Sequence, residues 1–210
     1  MTRILIADDH DIAREGVRAL LGAHQGWEVC GEAHTGREAV QRAIEWKPDL
    51  LIMDVLMPDL NGVDAARQIK REAPGTEIVV LSGHEDESLI YHAFDAGVRA
   101  YVPKRQAREH LIPAIEAVLA HKPYLTPRVA EILMREYRGG PAPAADPLTA
   151  REREIVQLLA EGRSNKEVSS VLEIGIKTVE THRASIMRKL NLNGLSDIVV
   201  YAIRNKIVEA

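Results

Sequence analysis

The chain has 210 residues, 46% hydrophobic and 28% charged, with a net charge of −4; this ordinary globular composition is too apolar for a disordered chain and long enough for one large or two small domains. Its first apolar run stops at Asp8, too short for a signal peptide, and no apolar stretch is long enough to span a membrane, so a cytoplasmic protein is expected. The single cysteine, Cys30, excludes an internal disulfide and reads as a small buried hydrophobe.

From the N-terminus, short apolar runs alternate with stretches of 3.6-residue periodicity. Strands are predicted at 3–7, 28–33, 50–54, 77–82 and 100–102, and helices at 12–21, 36–46, 62–72, 85–96 and about 109–121. The runs ILIA, LLIM and IVVL are apolar on both faces, as central parallel strands are, so this part reads as a βα-alternating domain. Thr126-Pro127 starts a further helix, 127–137. It leads into REYRGGPAPAADP (135–147), whose glycines and prolines read as a linker, part flexible and part extended. Beyond it the pattern is all helical. LTAREREIVQLLAEG opens with the capping box Thr149…Glu152 and closes at Gly162. SNKEVSSVLE, capped by Ser164, then IKTVETHRASIMRKL and LSDIVVYAIRNK complete four short helices, and the tight second-to-third connection predicts a helix-turn-helix. Residues 147–210 carry a net charge of +2 and the residues before them −6. This mild asymmetry suits an acidic module joined to one that tolerates a polyanion.

In an open parallel sheet, ligands bind beyond the carboxyl ends of the strands. Asp8 and Asp9 follow the first strand, Asp54 ends the third, Ser82 ends the fourth and Lys104 follows the fifth. Read alone, each has a bland alternative: first-turn acids, a loop serine, a solvated lysine. Together at successive strand ends they make a site if the strand order reverses beside the first strand. Three carboxylates need a cation, and hard oxygen donors favour Mg²⁺ or Mn²⁺. Lys104 and Ser82 facing Asp54 would suit a phosphoryl group, with Asp54 as the nucleophile.

Asp8-Asp9, the Asp-x-x-Met-Pro-x-x-x-Gly spacing of DVLMPDLNG (54–62), Ser82 and Lys104 resemble, in order, the motif of response-regulator receiver domains over residues 1–122. The resemblance implies a flavodoxin-like (βα)5 fold. It implies that a sensor histidine kinase phosphorylates Asp54, that Asp9, Asp54 and the Leu56 carbonyl bind the metal directly with Asp8 acting through water, and that Ser82 and Lys104 grip the phosphoryl oxygens. Ser82 and Tyr101 would be the switch residues, Tyr101 standing where the family places an aromatic that turns inward on activation. The chain departs from the family pattern in Gly97-Val98-Arg99-Ala100-Tyr101 and in having Pro103 before, not after, the lysine. Leu56 and His84 flank the expected phosphoryl position. Leucine cannot orient water, so a long-lived phosphoryl group is expected, and His84 is expected in solvent.

At about 100° per residue, Val179, Ile186 and Leu190 share one face of the third C-terminal helix, and Lys177, Glu180, Thr181, Ala184 and Arg188 share the other. The outer face, small and polar, is what a recognition helix needs to enter the major groove. LTAREREIVQLLAEGRSNKEV and KTVETHRASIMRKL closely resemble the LuxR-type DNA-binding domain over residues 148–210. The resemblance implies double-stranded DNA as partner, an all-α four-helix domain, bases read from Lys177, Thr178, Glu180, Thr181 and Ala184, and phosphate contacts from Ser164, Asn165, Lys166, Arg188 and Lys189. It also implies a dimer contact on the fourth helix, with Leu195, Ile198, Val199 and Ala202 as candidates and core packing the safer reading of most of that stripe. Gly175 stands where the family has a serine or threonine, removing a cap or phosphate donor.

Receiver plus LuxR-type domain, joined by a linker at 123–147, resembles the NarL/FixJ class of response regulators. The class implies a transcription regulator, controlled by phosphorylation of Asp54, that forms a homodimer when phosphorylated or DNA-bound. The class implies a phosphoacceptor that promotes its own phosphotransfer and dephosphorylation, not an enzyme with a separate substrate. A haloacid-dehalogenase-type phosphatase would need an acid at Leu56. A DNA binder using its receiver only to dimerise would not need the intact acidic site. An acyl-homoserine-lactone receptor would need a ligand pocket, which the βα alternation and a single Phe, Phe94, argue against.

Overall fold

The computed structural model describes residues 1–137 and 146–209. Most of the linker expected at 135–147 lies outside the described residues. The chain divides into an N-terminal α/β unit and a C-terminal helical unit.

The N-terminal unit runs β1 (Thr2–Ala7), α1 (Asp11–Gly22), β2 (Trp27–Ala33), α2 (Gly36–Trp46), β3 (Leu50–Met53), α3 (Gly62–Glu72), β4 (Glu77–Ser82), α4 (Glu87–Asp95), β5 (Ala100–Pro103), α5 (Ala107–Leu119) and α6 (Pro127–Tyr137). The sheet has the order β2-β1-β3-β4-β5, every pair parallel. β1 therefore pairs with both β2 and β3, the reversal point where such sheets open a crevice. Successive strand residues point to opposite faces. Ile4, Ile6, Leu50, Ile52, Val79 and Leu81 pack against Leu111, Ala114, Ile115 and Val118 of α5 and Val17 and Leu21 of α1. Leu5, Leu51, Met53, Ile78 and Val80, on the alternate positions, are buried as well. Each such side chain stabilises the fold by about 1.5–3 kcal/mol, and double-sided burial explains the unbroken apolar runs.

Two helix starts differ from the sequence expectation. α4 begins at Glu87 because the segment before it is held extended: the His84 N–H donates to Ser82 Oγ (3.3 Å), and the Tyr101 hydroxyl donates to the His84 carbonyl (2.7 Å). α5 begins at Ala107 because a single 3₁₀ turn, Lys104–Gln106, leads straight into it. α6 keeps its expected bounds. It buries Val129 and Ile132, and its Arg128 and Arg135 both pair with Glu87 at the start of α4.

The C-terminal unit contains α7 (Ala150–Ala160), α8 (Asn165–Val171), α9 (Ile176–Leu190) and α10 (Leu195–Arg204). Capping boxes open α7 (Thr149 with Glu152) and α8 (Ser164 with Glu167). Leu148, Ile155, Leu159, Val168, Val179, Ile186, Ile198 and Ala202 belong to one core. This corrects half of the expected dimer stripe: Ile198 and Ala202 are fully buried where α10 packs on α7 and offer nothing to a partner. Leu195 and Val200 are the exposed apolar groups of α10, with Val199 half-buried. Among the described residues, no helix is long and apolar enough to cross a membrane.

Candidate functional site

The carboxyl ends of β1, β3, β4 and β5 converge. β3 ends at Met53, but the Asp54 N–H still donates to the Ala7 carbonyl (2.8 Å), so Asp54 is held at the mouth of the sheet in line with β1. It is only 5% exposed. Its Oδ1 accepts from the Val55 N–H (2.6 Å) and its Oδ2 from Lys104 Nζ (2.5 Å). Lys104 Nζ also lies 2.7 Å from Asp8 Oδ2. Ser82 is fully buried beside these groups: its hydroxyl accepts from the His84 N–H (3.3 Å) and favours the ionised form of both Asp54 and Tyr101. Tyr101 is fully buried and turned inward.

Gly62 explains the last position of the motif. A Cβ there would lie 2.1 Å from the Asp54 carbonyl oxygen, and the Gly62 N–H donates to the Val55 carbonyl (2.6 Å). Only glycine lets α3 start so close to the aspartate. Leu56, between them, is buried. His84 is half-buried and held by its backbone, not free in solvent as expected.

Burial pushes the Asp54 carboxyl up, and Lys104 offsets part of that rise. Lys104 is itself pushed up: its burial opposes the charge, but Asp54 and Asp8 outweigh it. Burial also drives the Tyr101 phenol well above its ordinary value. Three carboxylates against one ammonium leave two negative charges, the deficit a dication fills. Ligand atoms of Asp8, Asp9, His10 and Asp54 lie within 4.8 Å of one another, near the span of about 4.2 Å across an octahedral Mg²⁺. The donor set thus fits Mg²⁺ or Mn²⁺, held by Asp8, Asp9 and Asp54. Such an ion, when bound, would neutralise charge on phosphoryl oxygens.

Two residues join this site that the sequence reading passed over. His10 Nδ1 lies 3.2 Å from Asp8 Oδ1 and 3.0 Å from Asp9 Oδ1, and the Asp9 charge raises its pKa. Arg14 donates to the Asp8 carbonyl (2.8 Å). Adjacency to Asp8-Asp9 signals His10, whereas nothing local signals Arg14.

In the helical unit, α8 and α9 are joined through Glu173, in the left-handed region at φ 52°, and Gly175, which caps α9 without a side-chain bond. Lys177, Thr178, Glu180, Thr181, Ala184, Arg188 and Lys189 are exposed, while Val179 and Ile186 are buried. The Thr181 hydroxyl donates to the Lys177 carbonyl (2.8 Å). Two expected phosphate contacts are already engaged. The Ser164 hydroxyl donates to Glu167 Oε2 (2.7 Å) within its capping box. Lys189 Nζ lies 2.6 Å from the buried Glu152, which also accepts from Ser185 Oγ (3.0 Å). Glu152 is held down to a pKa of about 2: burial opposes its charge, and Lys189, Thr149 and Ser185 outweigh it.

A parallel sheet with an acidic, lysine-bearing mouth and a helix-turn-helix unit define a phosphoacceptor coupled to a DNA reader. Residues 4–116 match the family model described as response regulator receiver domain, and residues 146–202 that of bacterial regulatory proteins, luxR family. The chain belongs to the response regulators that carry a receiver and a LuxR-type DNA-binding domain. It is 39% identical over 210 residues to the transcriptional regulatory protein LiaR of Bacillus subtilis, covering 99% of this chain and 100% of that one. It is 35% identical over 207 residues to the response regulator VraR of Staphylococcus aureus, covering 99% of each. A solved structure of Salmonella typhimurium RcsB superposes with a TM-score of 0.59 at 27% identity, covering 95% of this chain and 97% of that one. RcsB has also been solved as a complex with DNA, a match of TM-score 0.59 at 26% identity over 95% of this chain and 96% of that one.

Proposed function

We propose that Asp54 is the phosphoryl acceptor of this regulator, that a sensor histidine kinase is the donor, and that the phosphorylated chain binds DNA as a homodimer. The observation that carries the reading is the meeting of Asp8, Asp54, Ser82 and Lys104 at one sheet mouth. An Asp54 carboxylate oxygen attacks phosphorus as the P–N bond to the donor imidazole breaks, and that nitrogen keeps the bonding pair and takes up a proton. Lys104 and Ser82 meet the phosphoryl oxygens that carry the charge. Asp8 and Asp9, with Asp54, would hold Mg²⁺, which when bound would neutralise charge on the phosphoryl oxygens. Ser82, drawn to the phosphoryl oxygen, changes the bond it accepts from the His84 N–H, and the loop through His84 carries that change to α4, a shift of population between receiver states.

In the helical unit, the exposed face of α9 is the base-reading surface. Lys166 and Arg188 serve the phosphates. Lys189 and Ser164, engaged within the fold, position α9 and α8. Leu195 and Val199 remain as the dimer contacts of α10. A protein that meets DNA in a bacterium works in the cytoplasm.

Incubating the protein with Mg²⁺ and acetyl phosphate tests the acceptor directly. Intact mass should rise by one phosphoryl group in the wild type and not in Asp54→Ala. A wild type that gains no mass, or a mutant that gains it equally, overturns the assignment.

A further inference from the structure

Arg14 lies on the first turn of α1, where a sequence reading would leave it in solvent, yet it is 5% exposed. A buried guanidinium is costly unless paired and fully hydrogen-bonded. Arg14 is paired and makes one bond from each of its three nitrogens, to three partners on different segments. Its Nε donates to Glu32 Oε2 on β2 (2.9 Å), its Nη2 to Asp11 at the start of α1, and its Nη1 to the carbonyl of Asp8 (2.8 Å). The Asp8 N–H, for its part, donates to the Ala33 carbonyl, next to Glu32 (3.1 Å). The Asp8 backbone is thus fixed from both sides by one stretch of β2: on its N–H directly, and on its carbonyl through the Glu32–Arg14 pair. Beyond that carbonyl the chain turns through Asp9 and His10 into α1. The Asp8 side chain is fixed separately, by the His10 N–H (2.9 Å) and Lys104. The planar fork of Arg14, with donors in fixed directions, can span a carboxylate and a carbonyl at once. A lysine offers a single point donor.

We propose that Arg14 is a positioning residue for the divalent cation: anchored by Glu32, it sets the Asp8-Asp9 turn so that both carboxylates aim at one ion. The proposal rests on the reading of Asp8, Asp9 and Asp54 as the metal site. Groups that orient ligands from behind the first layer cost roughly tenfold or more in metal affinity when removed. Arg14 touches neither the phosphoryl group nor its donor, so its effect should fall on the metal and leave the chemical step intact.

The test is Mg²⁺ titration of the full chain by calorimetry, for wild type, Arg14→Lys and Glu32→Gln, with thermal unfolding in EDTA as the control for folding. Arg14→Lys should keep a folded chain and weaken Mg²⁺ binding by about tenfold. Glu32→Gln retains the arginine but loosens its anchor, and should weaken binding in the same direction by less. With acetyl phosphate, both variants should need more Mg²⁺ to reach half the maximal rate and should reach the wild-type rate at saturation. Mg²⁺ affinity within twofold of wild type in a folded Arg14→Lys overturns the proposal. If that variant fails to fold, unchanged affinity in Glu32→Gln overturns it. A depressed rate at saturating Mg²⁺ with unchanged affinity also overturns it, because the residue would then act on the chemistry. A wild type that binds no Mg²⁺ defeats the metal-site reading itself, a separate result.

Discussion

Leu56 is buried two residues beyond Asp54, where a polar side chain could orient water for attack on an acyl phosphate. A leucine leaves that water without a hydrogen-bond partner, so the signal should decay slowly. Leu56→Asn should speed loss of the phosphoryl group by about tenfold, read as the decay of phosphorylated protein after the donor is removed; an unchanged decay would show that water is positioned from elsewhere. At this scale the sequence was informative where chemistry is tied to strand ends. Asp8, Asp9, Asp54, Ser82 and Lys104 each end or follow an apolar run, and parallel topology alone brings them together. Arg14 was not legible. Its spacing on α1 matches a solvated arginine, and its burial depends on Glu32, a residue on another strand that no local pattern links to it.

At the scale of elements, ion pairs tie two helices that the sequence already placed, α6 with its bounds and α4 with a start two residues early. Glu87, the first residue of α4, pairs with Arg128 and Arg135 on α6, so the helix that leaves the receiver is fastened to the helix that follows His84, which Ser82 and Tyr101 both bond. Exposed pairs contribute little stability, about 0–1 kcal/mol. Glu87→Ala should therefore leave the thermal midpoint nearly unchanged. It should reduce by several-fold the ratio of DNA affinities with and without phosphorylation, and an undiminished ratio would assign no signalling role to this contact.

The α7–α9 contact behaves differently, because Glu152 is buried. Its folded pKa of about 2 lies below the ordinary 4.5. The stability it contributes is therefore complete above about pH 4.5 and is lost as pH falls toward 2. Allowing for the partial exposure of Lys189, the loss is about 2 kcal/mol. Glu152→Gln keeps a capping-box acceptor and should remove that pH dependence, measured as unfolding of the helical unit between pH 5 and pH 2. The sequence shows the Thr149…Glu152 box readily, since it is local. It hid the bond to Lys189, 37 positions away, and so Lys189 read as a phosphate contact. The late start of α4 was hidden for a like reason: the bond from the His84 N–H to Ser82 is local, but the bond that the Tyr101 hydroxyl donates to the His84 carbonyl comes from β5, 17 positions away.

For the whole molecule, the two family models and the full-length likeness to LiaR and VraR agree with the order of domains read from the sequence, a βα sheet and then a helical bundle. One coupling should join the two halves: phosphorylation of Asp54 should set the affinity of α9 for DNA. An affinity change of 5- to 150-fold, or about 1–3 kcal/mol, is the usual size of such coupling. The most direct measurement selects a duplex motif from random sequences with the phosphorylated wild type. Binding to that duplex is then titrated for wild type and Asp54→Ala, each with and without acetyl phosphate and Mg²⁺, at one fixed salt concentration. The phosphodonor should tighten wild-type binding by about tenfold or more and leave Asp54→Ala unchanged. Equal affinity in the presence and absence of the donor for a wild type shown by mass to be phosphorylated would contradict it.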